Sequence, residues 1–393
     1  MTLPRPGDPF TVQALFPNFY NESGVSYTVK SVLEGIAADG IKVGATAAAT
    51  DVKAPYVEGV TSKYVYGYLR PRARSPMRSV FRAARRRLRA GDVAYFWLES
   101  PAEMCEYFRA RDVLVVREMI NCTKQLYRRE LRKAYAALGE PDRTGITDQM
   151  IEQERSDLLA ADLIYCPNPF VKASVVEYGF PAEHCIDTSY GWNATRLGTP
   201  GRAVRDSGVF TVAFVGTIDV RKGAPVLLEA WAKSNIDGRL LLAGVVSPEV
   251  QQKCAALLRR PDVVQLGFMR DVGSVYRSAD VFCLPTWEEG GPQVTFEAMS
   301  AGLVPVVTPM GTGGAFAATD DVGIVISPGD VSALSDALQL LATDAARLNH
   351  LKQQAEKCAA GYTWEVVGQR RRAALLRHRG EWLTVRGRPS ARA

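Results

Sequence analysis

The sequence has few of the residues that build metal centres or disulfide frameworks. It contains three histidines, His184, His350 and His378, which are widely separated. Its seven cysteines are scattered along the chain and are never spaced as Cys-x-x-Cys. This pattern argues against a structural zinc site or a set of disulfides, and it favours a reducing compartment.

Long apolar segments are lacking as well. No run approaches the roughly 20 apolar residues that a membrane-spanning helix needs. The first residues, MTLPRPGDPF, lack the apolar core of a signal peptide. We therefore expect a cytoplasmic protein, either free in solution or peripheral at the inner membrane surface.

Acidic residues are missing between Glu58 and Asp92, where basic residues are concentrated. The basic residues of segment 63–89 are Lys63, Arg70, Arg72, Arg74, Arg78, Arg82, Arg85, Arg86, Arg87 and Arg89. Apolar residues at helical spacing in Met77–Arg89 favour a helix that packs on its own sheet and exposes a basic face. The alternative is contact with an anionic membrane. A nucleic-acid partner is not expected, because the charge is local and no aromatic stacking pattern accompanies it.

The chain of 393 residues is long enough for two domains. Apolar runs alternate with amphipathic segments, which is typical of parallel sheets flanked by helices. Segment Thr195–Gly208, TRLGTPGRAVRDSG, is rich in Gly, Pro and Arg and is the best candidate for a linker. We predict an α/β protein with two Rossmann-like doubly wound domains facing across a cleft, residues 1–200 and 201–368. A basic segment, 369–393, either crosses back to the first domain or frays.

The strands predicted from apolar runs determine where a ligand would bind. They are Val12–Leu15, Lys42–Ala47, Val93–Trp97, Val113–Val116, Leu163–Cys166, Thr211–Val215, Leu240–Ala243, Val263–Gln265, Val281–Leu284, Val304–Val307 and Gly323–Ile326. Ligands of open parallel sheets bind at the carboxyl ends of the strands. The informative residues are therefore those that follow each strand.

A segment with two glycines and two cations, GTIDVRKG (Gly216–Gly223), follows one of these strands. Arg221 and Lys222 directly precede the next predicted helix. Fixed cations beside the positive end of a helix make a site for an anion such as phosphate. The spacing of a Walker loop is absent, and a solvated turn with two surface cations is the alternative.

Two acids bracket a diglycine in TWEEGGPQVTFEAM, which follows another predicted strand. Glu289 lies in the loop, and Glu297 falls in the second turn of a helix that begins near Pro292. Their separation allows both acids to face one cleft. Carboxylates that accept bonds from vicinal hydroxyls, next to a phosphate site, suit a sugar nucleotide.

The segment EGGPQVTFEAMSAGLVPVV resembles the Glu-x7-Glu motif of GT-B-fold retaining glycosyltransferases, specifically glycosyltransferase family four. GTIDVRKGAPVLLEAW resembles the donor-phosphate loop of that family, and SPGDVSALSDALQLL resembles its segment after the last sheet strand. The resemblance covers the second half of the chain. It implies transfer of a sugar from a nucleotide-diphosphate donor to a hydroxyl acceptor, with retention and without a metal or other cofactor. Synthesis of a cell-surface polysaccharide or glycoconjugate is the implied setting.

The resemblance also implies roles for individual residues. Lys222 would contact the donor diphosphate with Arg221 as a helper, Glu297 would hold the ribose, and Glu289 would orient the donor sugar. The family usually has an arginine directly after the first glycine of the loop, where this sequence has Thr217. The other implied donor-binding residues are Gly216, Gly267, Phe268, Met269, Gly290, Gly291, Pro292 and Gln293, with Gly267–Met269 against the base.

The first half of the chain is a looser match to the family. NESGV resembles its glycine loop near the donor phosphates and acceptor, supplied here by Ser23, Gly24 and Val25. Many members carry a histidine after a strand of this half, where the sequence has Arg117 and Glu118. Three explanations are open: Glu118 takes the role of that histidine, the histidine is dispensable, or activity is lost.

Two other functions compete with sugar transfer. A nucleotide-sugar epimerase of the same fold would need its own acid and base, and no convincing set is found in the sequence. A non-catalytic nucleotide-sugar-binding protein is the second alternative, and the missing histidine is its only support.

Overall fold

The strands of this protein form two parallel sheets, one in each half of the chain. The structure is a computed structural model that describes residues 3–21, 23–69, 75–198, 200–205, 208–311 and 321–386. The strands of the first sheet are β1 (Phe10–Tyr20), β2 (Ile41–Thr50), β3 (Val57–Thr61), β4 (Val93–Trp97), β5 (Leu114–Glu118), β6 (Leu163–Cys166) and β7 (Cys185–Asp187). Those of the second sheet are β8 (Phe210–Val215), β9 (Gly238–Ala243), β10 (Val263–Gly267), β11 (Val281–Leu284), β12 (Val304–Val307) and β13 (Ile324–Val325).

Both sheets are doubly wound. The strand order is β3-β2-β1-β4-β5-β6-β7 in the first sheet and β10-β9-β8-β11-β12-β13 in the second. The winding direction therefore changes between β1 and β4, and again between β8 and β11. Such switch points open a crevice at the carboxyl ends of the strands, where ligands of this architecture bind. The predicted α/β fold class with two Rossmann-like units is confirmed.

Helices cover the faces of the sheets. In chain order they are α1 (Gly24–Ile36), α2 (Lys63–Leu69), α3 (Met77–Ala84), α4 (Ala102–Arg109), α5 (Lys124–Ala137), α6 (Asp148–Leu159), α7 (Pro169–Glu177), α8 (Ala224–Ser234), α9 (Pro248–Lys253), α10 (Ala255–Leu258), α11 (Val272–Tyr276), α12 (Gln293–Ser300), α13 (Val331–Thr343), α14 (Ala345–Ala359) and α15 (Trp364–Arg386). Of the helices in the described ranges, none is long and apolar enough to cross a membrane.

The basic helix α3 is shorter than predicted, since it ends at Ala84 rather than Arg89. Its apolar residues Met77, Val80 and Ala84 are buried in the core of the first half. The apolar stripe of this helix therefore packs on its own sheet, as predicted. Three of the predicted basic positions, Arg70, Arg72 and Arg74, lie outside the described residues.

The last helix, α15, returns to the first half of the chain and packs against α1. The two helices approach so closely at Gly35 and Gly368 that a Cβ on Gly35 would lie 2.6 Å from the Cα of Gly368. The predicted start of the C-terminal segment, residue 369, falls inside this helix rather than at its beginning. Residues 387–393 lie outside the described part of the chain.

Candidate active site

The loop after β8 has a backbone that requires glycine where it enters α8. Gly223 has φ of 73° and precedes the first residue of the helix. A Cβ at this position would lie 2.0 Å from the carbonyl oxygen of Pro285, so the loops after β8 and β11 touch here. The backbone N–H of Lys222 donates to Asp219 Oδ1 at 2.7 Å, which fixes the turn. Arg221 and Lys222 are thereby placed at the positive end of α8.

Both cations of this loop are paired with the acids of the loop after β11. Lys222 Nζ donates to Glu289 Oε1, and Arg221 Nη1 lies 3.1 Å from the same oxygen. Burial alone raises the pKa of Glu289, but the charges of Lys222 and Arg221 bring it below its usual value. The structure thus brings together three of the four predicted catalytic residues in one partly enclosed cluster.

Glu288 also belongs to the cluster, although the sequence indicated no role for it. Its Oε1 accepts from the backbone N–H of Cys122 at 2.9 Å, and its Oε2 lies 3.2 Å from Arg221 Nη1. Burial raises the pKa of Glu288 to about 6, with Arg221 opposing the rise and Glu289 adding to it. Glu288 therefore links the second domain to the loop after β5, and burial holds the pKa of its carboxyl above the usual value.

The diglycine beside these acids allows the two halves of the chain to approach each other. A Cβ on Gly290 would lie 1.8 Å from the carbonyl oxygen of Ile120, and one on Gly291 would lie 2.8 Å from the Tyr190 ring. The Asn168 side-chain amide donates to the carbonyl oxygen of Glu289 at 3.1 Å. A larger residue at Gly290 would require a backbone shift, and one at Gly291 would displace the Tyr190 ring.

Glu297 lies deeper, on α12, and is fully buried. Its Oε2 accepts from the Tyr276 hydroxyl at 3.2 Å, and its Oε1 lies 3.0 Å from Arg196 Nε. Arg196 also stacks on the Tyr27 ring of α1, 4.7 Å from the ring centroid. Burial raises the pKa of Glu297, and Arg196 offsets part of that rise. Arg196 lies in the predicted linker, and its role in the site was not predicted. Its partner Glu297 is 101 residues further along the chain, and no local sequence pattern indicates such a contact.

The predicted loop before α1 lies on the opposite side of the cleft. Ser23 is the N-cap of α1, and Gly24 has φ of 53°, in the left-handed region that favours glycine. One turn into this helix, Thr28 Oγ1 accepts from Gln293 Nε2 at 2.6 Å. Gln293 and the loop of Ser23, Gly24 and Val25 are therefore brought to one cleft.

The remaining predicted donor-binding residues are at the edge of the second sheet and around the two loops. Gly267 ends β10 with φ of 67°, Phe268 is 75% exposed, and Met269 packs partly on the core. Pro292 is the N-cap of α12 rather than its first residue, and Thr217 is exposed. Within the described ranges, no group of three or more His, Cys, Asp or Glu side chains could hold a metal ion.

Glu118, the fourth predicted catalytic residue, does not reach the cleft. Its carboxylate is fully buried, and its two oxygens each accept from Arg371 of α15 at 3.0 Å. The Tyr95 hydroxyl donates to one of them as well. Because both oxygens are engaged inside the first domain, the interpretation that Glu118 replaces the family histidine is contradicted by its placement.

Comparison with known proteins assigns most of the second half of the chain to a protein family. The family model for glycosyl transferases group 1 matches residues 209–344. These residues are a glycosyl transferases group 1 domain. The domain contains the Lys222 loop, Glu289 and Glu297, so the clustered residues all lie within it.

The relatives of this glycosyltransferase domain support the same assignment. The D-inositol 3-phosphate glycosyltransferase of Kribbella flavida is 30% identical over 190 residues, which is 44% of each chain. The chain thus matches less than half the length of that relative. Sucrose-phosphate synthase from Thermosynechococcus elongatus superimposes with a TM-score of 0.71 at 17% identity, over 94% of this chain and 98% of that one. Anabaena HepE in complex with UDP and glucose has a TM-score of 0.68 at 14% identity, over 94% and 99%. The fold is GT-B.

Proposed function

We propose that this protein is a retaining glycosyltransferase that moves a sugar from a nucleotide-diphosphate donor to a hydroxyl acceptor. The observation that carries the proposal is the cluster of Lys222, Arg221 and Glu289 at the N-terminus of α8, inside a glycosyl transferases group 1 domain. The cations of such a cluster can bind a diphosphate, and its carboxylate can accept hydrogen bonds from sugar hydroxyls. Synthesis of a cell-surface polysaccharide or glycoconjugate is the proposed setting.

Donor binding would rearrange the ion pairs of the cluster. The diphosphate would take over the charges of Lys222 and Arg221, and Glu289 would become available to the hydroxyls of the donor sugar. Glu297 would hold the ribose, with its contact to Arg196 given up. The HepE complex contains UDP and glucose in a protein of the same fold, which supports a nucleotide sugar as the donor.

The chemical step follows from where charge develops. As the bond from the anomeric carbon to the diphosphate breaks, the diphosphate leaves with the electron pair and gains negative charge. Fixed cations and the α8 terminus stabilise that charge most when bond cleavage is advanced, which lowers the barrier. The acceptor hydroxyl would attack from the same face, and its proton would pass to an oxygen of the departing phosphate. We propose that Lys222, Arg221 and the α8 terminus supply the positive charge that a metal would otherwise supply, so that none is required.

A panel of GDP-, UDP- and dTDP-sugars tests the proposal. A ligand that binds only the folded protein raises its melting temperature, so the true donor is expected to give a clear upward shift. That donor should then release its nucleoside diphosphate in the presence of suitable acceptors. A donor that binds tightly and never turns over with a broad acceptor panel would favour the non-catalytic binding protein instead.

Donor affinity is expected to depend on pH through Glu288. A diphosphate placed beside this carboxylate favours its protonated form, so binding takes up a proton. With a pKa of about 6 in the free protein, affinity should rise as pH falls from 8 towards 6 and level off below 6. One unit of pKa change corresponds to about tenfold in affinity.

Calorimetry with the nucleotide sugar between pH 5 and 8 measures this dependence, because its diester phosphates do not titrate in that range. The Glu288→Gln variant, which is permanently neutral, should show a flat profile. An unchanged slope in this variant would assign the pH dependence to another group.

Helix α2, at the start of the basic segment, exposes aromatic and apolar side chains. Tyr64, Val65 and Tyr68 of α2 are exposed, at 78%, 47% and 66%, and Lys63 Nζ lies 5.4 Å from the centroid of the Tyr64 ring. Tyrosine side chains and basic residues favour the interface of an anionic membrane. We propose that α2, rather than the buried stripe of α3, makes peripheral contact with the inner membrane surface.

Vesicle flotation tests this contact. The protein is expected to float with vesicles that contain phosphatidylglycerol at low salt and to be released at high salt, since the Debye length shortens. A Tyr64→Ser/Tyr68→Ser variant should bind several-fold more weakly, whereas Leu376→Ser on the exposed face of α15 should not. Equal flotation with neutral phosphatidylcholine vesicles would contradict the electrostatic part of the proposal.

A further inference from the structure

Arg117, on β5, is buried without a full set of hydrogen-bond partners. Its residue exposure is 6%, and its Nη2 donates to the carbonyl oxygen of Leu98 at 2.5 Å. Its Nε and Nη1 are buried and have no partner among the residues that the structure describes. Leaving a buried donor without a partner is unfavourable, so the Nε and Nη1 groups indicate that a ligand with hydrogen-bond acceptor atoms is missing.

The carboxylates nearest to Arg117 are engaged with other donors. Glu154 accepts from Lys124 Nζ at 2.9 Å. Asp157 accepts from a backbone N–H at the start of α4, and Glu99 accepts from the Ser75 hydroxyl. Burial lowers the pKa of Arg117 although these carboxylates oppose the effect. The positive charge of the Arg117 guanidinium is therefore only partly neutralised by carboxylates of the chain.

A cavity of about 350 Å³ opens beside this guanidinium. Residues that line it include Leu98, Arg117, Asn121, Lys124, Tyr127 and Glu154, and the Glu154 carboxylate is paired with Lys124 at 2.9 Å. Its volume lies at the lower end of the roughly 300–1,000 Å³ typical of small-molecule sites. Leu98 at its wall has φ of 67°, a conformation that non-glycine residues rarely adopt and that clusters at binding sites.

The cavity adjoins the donor site. Part of its wall is the loop after β5, with Met119, Ile120, Asn121 and Cys122. The same loop meets the acids of the second domain, because the Cys122 backbone N–H donates to Glu288 and the Ile120 carbonyl packs on Gly290. A molecule in the cavity would therefore lie on the first-domain side of the reacting sugar.

We infer that this cavity binds the acceptor, and that Arg117 holds it through an anionic group, a carboxylate or a phosphate. The acceptor is accordingly an acidic sugar or a sugar phosphate. The Asn121 amide and the Tyr127 hydroxyl are at hand for its neutral hydroxyls. This inference rests on the proposed function, because it names the acceptor class of that reaction.

Calorimetry on the full chain tests the inference, with the donor site saturated by the nucleoside diphosphate whose sugar gives the largest thermal shift. The probes are glucose, glucuronate, glucose 6-phosphate and inorganic phosphate. Glucuronate or glucose 6-phosphate is expected to bind at least tenfold more tightly than glucose. The Arg117→Gln variant should remove this preference, and Arg132→Gln on the exposed face of α5 should retain it.

The outcomes separate the acceptor assignment from the proposed function. Equal binding of glucose and both acidic sugars, in a protein that still binds its donor, would overturn the acceptor assignment alone. Inorganic phosphate bound as tightly as glucose 6-phosphate would overturn it too, since the cavity would then hold any anion. Failure of every nucleotide sugar to bind would instead defeat the proposed function. If Arg117→Gln does not fold, Arg117→Lys should still lower the preference, because it lacks the planar, bidentate donor geometry.

Discussion

The Lys222→Ala variant is expected to lower kcat/KM for sugar transfer by at least about 10²-fold while leaving the fold intact. Lys222 stands at the N-terminus of α8, where its ammonium and the helix end would act on the departing diphosphate. Loss of one preorganised group that stabilises transition-state charge typically lowers the rate by about 10²–10³. The loss should fall on kcat more than on KM, since the charge of the leaving group increases as the bond breaks.

Lys233→Ala is the matched control for this prediction. Lys233 lies at the other end of the same helix, apart from the cluster, and its Nζ donates to the Ser332 hydroxyl at the surface. The Lys233→Ala variant should retain normal sugar transfer. Glu289→Ala should resemble Lys222→Ala, because the two side chains form one ion pair. Near-normal sugar transfer by either Lys222→Ala or Glu289→Ala would contradict the role assigned to that residue in the active site.

The Arg371→Met variant is expected to destabilise the protein by about 3–5 kcal/mol. The guanidinium is fully buried and donates to both oxygens of Glu118, which has no other cation within reach among the described residues. Removing one partner of a buried ion pair leaves an uncompensated charge, which accounts for that magnitude. The melting temperature should fall by roughly 6–20 °C, at about 2–4 °C per kcal/mol for domains of this size.

A second substitution separates the ion pair from simple packing. Arg371→Met/Glu118→Leu removes both charges and should recover much of the lost stability, because the buried carboxylate no longer stands alone. Arg377→Met on the exposed side of α15 should leave the melting temperature unchanged. A double variant no more stable than Arg371→Met would show that packing, not charge, dominates this contact.

The strands that the sequence predicted best are those buried on both faces. β4, β6, β11 and β12 have the predicted bounds, because interior strands of parallel sheets read as continuous apolar runs. The strands that were missed, β3 and β7, are the two edges of the first sheet. An edge strand pairs on one side only, and β3 has no fully buried residue, so its sequence carries a weak signal.

Long-range contacts explain most of what the sequence could not predict in the site. Arg371 reads as one more cation of a basic segment, yet it pairs with Glu118 from 253 residues away. Because of that contact, Glu118 binds the last helix instead of acting as the predicted catalytic acid. Glu288 and Glu289 are neighbours in one acidic dipeptide and share Arg221, but the fold gives each a further partner of its own: the Cys122 N–H for Glu288 and Lys222 for Glu289. The Lys222 loop and the spacing from Glu289 to Glu297 were predictable because they are local patterns.

The anomeric configuration of the product tests whether this protein is a retaining glycosyltransferase. Proton NMR should follow the reaction with the nucleotide sugar that gives the largest thermal shift and an acceptor that it glycosylates. The new glycosidic linkage is expected to keep the configuration of the donor at the anomeric carbon, and Lys222→Ala is expected to form the product at least about 10²-fold more slowly. A product of inverted configuration, or equal rates for the two proteins, would contradict the proposed function.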